Sequence, residues 1–439
     1  MKRRDFLAST IIGTAGLVSG IHGCAPKSEK DTFGSGTVTD KNGKLAGLTL
    51  AELREKHRYY LFDDFLPFLE KYVVDHEYGG FMCNTDRRGN NITQIKTAWY
   101  EGRGIWVYSF LYNNFTREQK YLDIAKKSVD FILKNEPKDG QLFAHKFSRE
   151  GKPIDGPSNC IYGDLFIANG LAEFSKAAGD ELYWEKAKSL LLKCMMIYDS
   201  PNYAYHVDYG PEATPFPGER VLGHWMILLR LCTQMLIHNQ DAEVETVAER
   251  CVDALMNHHF IPEYNLMNEV LNHDMRRAEG PFSQFVATGH AIESLCMVMS
   301  EAVRKKDSQL FDLAAKRFRF HVNVAWDDVY GGIFHFLNNV NDNTWQTPKS
   351  LWAQEEVLVG AKQIIEHTGA QWAKELYAKM WNYVTDKFPL KQYGYPIWIL
   401  YADRKVTFEE KYDRVGNFHH PRHLMLNMLS LDRMMKKHK

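Results

Sequence analysis

From Thr49 to the end of the chain, apolar positions return at helical spacing in one block after another, parted by Gly, Asn, Asp and Pro. The pattern predicts helices over about 97–113, 117–134, 161–177, 181–198, 218–237, 241–258, 288–304, 307–324, 349–367, 370–387 and 420–437. An earlier helix is opened by the capping box Thr49-Leu50-Ala51-Glu52, which brings the total to about twelve. No alternating run is long enough for a main sheet. Short β-hairpins are expected in the connections, at 79–84 and 331–336.

An internal repeat suggests how these helices are arranged. Tyr78-Gly79-Gly80-Phe81 returns as Tyr330-Gly331-Gly332-Ile333, and Lys96-Thr97-Ala98-Trp99 returns as Lys349-Ser350-Leu351-Trp352 at nearly the same offset. Each unit reads as a turn, a polar loop and a helix that presents Lys and Trp in its first turn. A closed ring of helical hairpins accommodates this, with the more apolar helices inside and their N-terminal ends gathered at one mouth. Such ends favour anionic groups. Arg103 and Glu356 hold equivalent positions in the two repeats. Either both face the cavity, or they form a buried ion pair that braces the ring.

Two further segments carry candidate chemistry. Gly289-His290-Ala291-Ile292-Glu293 and Phe418-His419-His420-Pro421-Arg422 each place a histidine near a helix start with a charged residue three positions on. Residues at i and i+3 share a helix face, so Glu293 and Arg422 could reach the pocket of His290 and His419. Two imidazoles in one pocket suit two-base proton transfer near neutral pH. His224, in Gly223-His224-Trp225, is a third helix-start histidine, equally compatible with pocket and packing.

Composition narrows the class. The chain has 439 residues, 45% hydrophobic, with 54 Lys and Arg against 55 Asp and Glu, so no nucleic-acid surface is indicated. Aromatic residues at 13% fit either a bulky core or rings that stack on sugar faces. Residues 1–24 read as an export signal: Lys2-Arg3-Arg4-Asp5-Phe6-Leu7 looks like a twin-arginine motif, an apolar run reaches Ile21, and Ile21-His22-Gly23-Cys24 resembles a lipoprotein box with Cys24 as the lipidated residue. Residues 25–47 read as a flexible tether and 48–439 as one folded domain. The expected location is outside the inner membrane, periplasmic or anchored there by the lipid, which would be the protein's one membrane contact. Six cysteines follow Cys24 with no CxxC pair. A chain this large needs no disulfide framework.

The order and spacing of Glu101-Gly102-Arg103, Tyr162-Gly163-Asp164, Gly289-His290-Ala291-Ile292-Glu293, Gly331-Gly332-Ile333-Phe334, Trp352-Ala353-Gln354-Glu355-Glu356 and Phe418-His419-His420-Pro421-Arg422 resemble the N-acylglucosamine 2-epimerase family, which includes cellobiose 2-epimerases and mannose isomerases. The resemblance covers about residues 50–437. It implies an all-α (α/α)6 barrel, a toroid of six helical hairpins. It implies catalytic histidines at His290 and His419, with His420 as a bystander. It also implies a sugar pocket involving Arg103, Glu293, Glu356, Trp352 and Arg422, with Glu293 orienting His290. Thr288, Cys296 and Leu351-Trp352-Ala353 depart from the family's pattern and bear on the sugar chosen. The implied reaction is C2 epimerisation between N-acetylglucosamine and N-acetylmannosamine, without cofactor or metal. The alternatives are mannose or cellobiose 2-epimerisation, or aldose–ketose isomerisation. Outside the family they are a glycoside hydrolase using carboxylates such as Glu101, Glu356, Asp327 and Asp328, or a non-catalytic sugar-binding lipoprotein. The expected partner is a small sugar, and a homodimer is left open.

Overall fold

The computed structural model describes residues 36–138, 140–209, 216–398, 401–405 and 414–437. The twin-arginine motif, the apolar run and Cys24 lie outside them. Among the described residues the α-helices are α1 (Leu50–Arg58), α2 (Leu66–Tyr72), α3 (Ala98–Asn114), α4 (Gln119–Leu133), α5 (Tyr162–Ala178), α6 (Leu182–Tyr198), α7 (Leu222–His238), α8 (Ala242–Asp253), α9 (Thr288–Lys305), α10 (Ser308–Ala325), α11 (Leu351–Thr368), α12 (Gln371–Lys387) and α13 (His419–Lys437). A π-helical stretch, Tyr59–Phe65, joins α1 to α2 in one rod, so the rods number twelve.

Helices α3, α5, α7, α9, α11 and α13 pack in that order and close on one another, forming the inner ring, and the others pack outside. The choice follows from the sequence: α5 is buried along almost its whole length, whereas outer α4 buries one stripe. The chain is therefore an (α/α)6 barrel. Gly102 is needed where α3 and α5 meet, because a β-carbon there would strike the backbone of Phe166 and Ile167.

Short strands pin the mouth of the ring. Lys96–Thr97, Arg220–Val221, Val286–Ala287 and Lys349–Ser350 each lead directly into an inner helix, and each pairs antiparallel with a strand from a neighbouring connection. This is why α7 begins at Leu222 rather than near 218. The preceding residues Arg220 and Val221 pair with Leu271 and Val270. The turns at 79–84 and 331–336 hold single bridges, Val74–Phe81 and Trp326–Ile333, rather than hairpins; a true hairpin follows at Phe336–Asn339 and Thr344–Gln346.

The sequence repeat is a repeat of buried chemistry. Lys96 Nζ donates to Asp75 (3.0 Å) and to the Gly79 carbonyl, with Arg149 closing on the same carboxylate. Lys349 does the same with Asp327 (2.9 Å) and the Gly331 carbonyl, and Arg404 replaces Arg149. Glu101 accepts from the Phe81 amide, as Gln354 does from Ile333. Gly80, at φ +82, lies against Glu101, and a β-carbon there would collide with that carboxylate.

Residues 36–47 correct the tether reading. Val38 and Leu45 are buried, and Lys374 Nζ donates to the carbonyls of Thr37 and Thr39. Two apolar side chains and two satisfied carbonyls hold this segment, despite its polar composition. Among the described residues all six cysteines are free and five are buried, as small core residues.

Burial raises the Glu101 carboxyl to about 8, the Phe81 amide opposing only in part. The folded state thus keeps a proton that the unfolded chain releases near its ordinary value of 4.5. Stability contributed by that proton is lost as pH rises from about 4.5 to 8. Glu101→Gln copies the Gln354 arrangement and is expected to gain about 2–4 kcal/mol at pH 8 and to flatten the fall of Tm over this range. Thermal unfolding between pH 5 and 8 measures it.

Candidate active site

The first turns of the inner helices line a single cavity of about 1540 Å³. Trp99 and Arg103 come from α3, Tyr162 and Phe166 from α5, His290 and Glu293 from α9, Trp352 from α11 and His419 from α13. Because α11 lies between α9 and α13, Trp352 sits between the two histidines. Its ring centroid is 5.6 Å from His290 and 5.0 Å from His419.

Each imidazole is tethered from behind at Nδ1. His290 Nδ1 lies 2.9 Å from Glu269 Oε1, and the same oxygen accepts from the Tyr209 hydroxyl at 2.9 Å. His419 Nδ1 lies 3.2 Å from Glu356 Oε1, which also receives the Arg422 guanidinium. Both carboxylates are fully buried and stand behind the cavity wall, while each histidine side chain keeps 17% exposure. With Nδ1 held, Nε2 is the nitrogen left to act in the cavity.

The two histidines are pushed in opposite directions. Burial lowers His290, but the adjoining Glu269, then Glu293, more than reverses it and raises the imidazole above its ordinary 6.5. At His419 burial dominates, Glu293 opposes it only partly, Arg103 and Arg422 add to it, and the value falls to about 3. Glu356 does not lift His419 despite the contact. It is itself raised by burial, and its charge is answered by Arg422. An imidazole biased toward its protonated form and one held neutral, in one cavity, can form an acid–base pair.

The sequence readings are redistributed by this geometry. Glu269, not Glu293, holds His290. Glu293 lines the cavity and lies 3.7 Å from Arg422. Arg103 and Glu356 do not pair: Arg103 faces the cavity, stacked on Phe166 (4.2 Å) and Trp99 (4.8 Å), whereas Glu356 and Arg422 pair behind the wall. The Arg103 Nε finds no acceptor among the described residues. His224 is fully buried among Tyr162, Tyr198, Tyr203 and Tyr205, outside the cavity wall, and burial lowers it to about 3. His420 lines the cavity, yet its Nδ1 is committed to Glu355 at 2.5 Å, and His423 lies 3.2 Å from that same oxygen.

Two groups have metal-type ligand atoms close together, Glu355/His420/His423 and Glu293/Glu356/His419. In the first, His420 Nδ1 bonds Glu355, and His423 Nδ1 bonds the His420 carbonyl with Glu355 at 3.2 Å. In the second, the Arg422 guanidinium takes the place of a cation beside Glu356. Three of the four carboxylates considered for hydrolysis are also committed. Glu101 accepts from the backbone, Asp327 holds Lys349 and Arg404, Glu356 holds Arg422, and Asp328 is exposed outside the cavity wall.

Sequence reasoning missed Glu269 and Tyr209. Glu269 is a lone carboxylate in the apolar stretch Leu266–Leu271, a pattern that marks a buried acid but does not name its partner.

Comparisons with known proteins give the family and the fold. The family model described as N-acylglucosamine 2-epimerase (GlcNAc 2-epimerase) matches residues 79–422. N-acylglucosamine 2-epimerase from Homo sapiens is 23% identical over 379 residues, covering 83% of this chain and 87% of its own. The structure of cellobiose 2-epimerase from Bacillus thermoamylovorans superposes with a TM-score of 0.74 at 15% identity, covering 86% of this chain and 99% of that one. D-mannose isomerase superposes at 0.66 with 15% identity, covering 88% and 97%. These structural likenesses carry the fold.

In a histidine NMR titration, His290 is expected to titrate above 6.5 and His419 to stay neutral down to about pH 4. Glu269→Gln is expected to bring the His290 titration below 6.5, because burial then acts unopposed by its main counter-charge.

Proposed function

The chain belongs to the N-acylglucosamine 2-epimerase family, and from that premise we propose that it inverts C2 of an N-acylated hexosamine, interconverting N-acetylglucosamine and N-acetylmannosamine. The observation that carries the reading is the pair of imidazoles, tethered at Nδ1 on either side of Trp352 and biased to opposite protonation states. Inversion requires a base on one face of C2 and an acid on the other, whereas an aldose–ketose shift needs only one such group. Two imidazoles, each held at Nδ1 by a buried carboxylate, favour epimerisation. The ending Phe418-His419-His420-Pro421-Arg422 supports an N-acyl-hexosamine over a disaccharide.

In the proposed reaction the sugar opens to its aldehyde and rests against Trp352. Neutral His419 takes the C2 proton, which the carbonyl acidifies. Charge gathers on the carbonyl oxygen, beside the Arg103 guanidinium, whose Nε has no acceptor among the described residues. The His290 imidazolium delivers a proton to the opposite face, and Glu269 stabilises the charge it carries beforehand. The reverse reaction exchanges the roles, so the working enzyme holds one proton on the pair. Glu293, whose charge acts on both histidines, lies beside Arg422 at the cavity wall, placed to hold a sugar hydroxyl.

We also propose that residues 1–24 export the chain and that Cys24 carries a lipid, so that the substrate is free sugar outside the inner membrane. The mass of the mature N-terminus from membrane and soluble fractions tests this.

Incubation with N-acetylmannosamine in D₂O is expected to place deuterium at C2 of both epimers, read by proton NMR. His290→Ala and His419→Ala are each expected to lower epimerisation by about 10³-fold or more. Arg103→Met is expected to lower kcat about 10²–10³-fold with a smaller change in KM. Absence of exchange with this sugar, together with exchange on mannose or cellobiose, would move the substrate assignment within the family. For kcat/KM, activity is lost as pH rises through the His290 value above 6.5, since the donor loses its proton. On the acid side it is lost only near pH 3–4, where His419 takes one up.

A further inference from the structure

The two clamping carboxylates differ in what else they hold, and at Glu269 the second contact comes from outside the helical ring. Tyr209 stands two residues past the strand Tyr205–Val207, on the cavity wall. Its hydroxyl donates to Glu269 Oε1 at 2.9 Å, and His290 Nδ1 meets that same oxygen at 2.9 Å. The other oxygen, Oε2, is buried with no partner among the described residues, so one oxygen carries both contacts. Both groups are held in place. The Glu269 amide donates to the Phe285 carbonyl, and the Glu269 carbonyl accepts from the Leu222 amide at the start of α7. The Tyr209 ring stacks on Phe336 (5.5 Å between centroids) and packs against a small cluster that includes Val207, Val270 and Phe285.

The consequence is electrostatic. A carboxylate beside an imidazole stabilises its charged form. A hydroxyl donating to the same oxygen draws part of that charge to itself. The charge left for His290 is therefore smaller than that of a carboxylate it does not share. It is larger than the charge left at Glu356, whose oxygen meets a full cation in Arg422. Burial and Glu269 keep Tyr209 protonated, so it acts as a donor. The other charged groups acting on His290 are Glu293 and Arg103. His224, His335, His419 and Tyr162, which also surround it, are held neutral by burial.

We infer that Tyr209 is a positioning residue for the His290 acid: by donating to Glu269 Oε1 it withholds part of the carboxylate's charge from the imidazolium, which stays acidic enough to release its proton to C2. The inference rests on the two-imidazole reaction proposed above. That reaction runs in both directions, so His290 gives up a proton in one and takes one up in the other. An imidazolium held by an unshared carboxylate is the poorer acid.

Tyr209→Phe removes one oxygen and keeps the stacked ring. In the sugar-free protein, a histidine NMR titration is expected to show His290 moved up by about 0.5–1 pH unit. In the Glu269→Gln background the same substitution is expected to move His290 by less than about 0.2 pH unit, because the hydroxyl acts through the carboxylate. With substrate, the alkaline limb of kcat/KM is expected to move up with His290, and kcat to fall about 3–10-fold with little change in KM. A residue that only packs would leave the titration where it stands. An unchanged or lowered His290 value in Tyr209→Phe would overturn the inference, as would an equal rise in the presence of Glu269→Gln. Because the titration is read without sugar, a failed sugar assay counts against the proposed reaction and an unmoved His290 against the role of Tyr209.

Discussion

Much of the arrangement depends on a buried carboxylate standing behind each cavity histidine. Glu269 and Glu356 fix Nδ1 of His290 and His419, leaving Nε2 as the nitrogen available to the cavity. The two clamps differ in one respect. Glu269 shares its oxygen with a neutral tyrosine hydroxyl, whereas Glu356 shares its oxygen with a guanidinium. The first can therefore stabilise an imidazolium, and the second has its charge already answered. Two chemically similar side chains become an acid and a base through what their carboxylates touch.

The barrel is what makes such clamps affordable. Burying Glu269, Glu356 and Arg422 requires a scaffold that cannot relax around them. Backbone contact of α3 with α5 at Gly102 and the two Lys–Asp–Gly networks at the repeated turns supply that rigidity. The strands leading into α3, α7, α9 and α11 set the height at which each helix begins, and hence the level at which Arg103, His290 and Trp352 meet. Repetition of the turn and the Lys–Trp helix start is thus a device for placing helix ends.

Helix positions were legible because apolar spacing and turn residues act locally. Most boundaries fall within a few residues of the pattern, and the exception at α7 arises from pairing between residues about fifty positions apart. His290, His419, Trp352, Arg103 and Glu293 could be read as one cavity from motifs at helix starts, and they share its wall. Their partners could not. Choosing Glu269 over Glu293 for His290, or Glu356 over Arg103's neighbourhood, depends on which side chains cross between helices, and spacing along one helix carries no such information. His224 shows the same limit: its helix-start position resembles that of His290, but four tyrosines enclose it. The packed segment at 36–47 was hidden because two buried apolar residues do not alter a polar composition.

The most direct test of the central claim is a crystal structure with N-acetylmannosaminitol, an open-chain analogue that cannot react. The account predicts C2 between His290 and His419, with Nε2 of each about 3–3.5 Å away on opposite faces, and O1 directed at Arg103. An analogue bound with both imidazoles on one face of C2, or with C2 beyond reach of either, would contradict it.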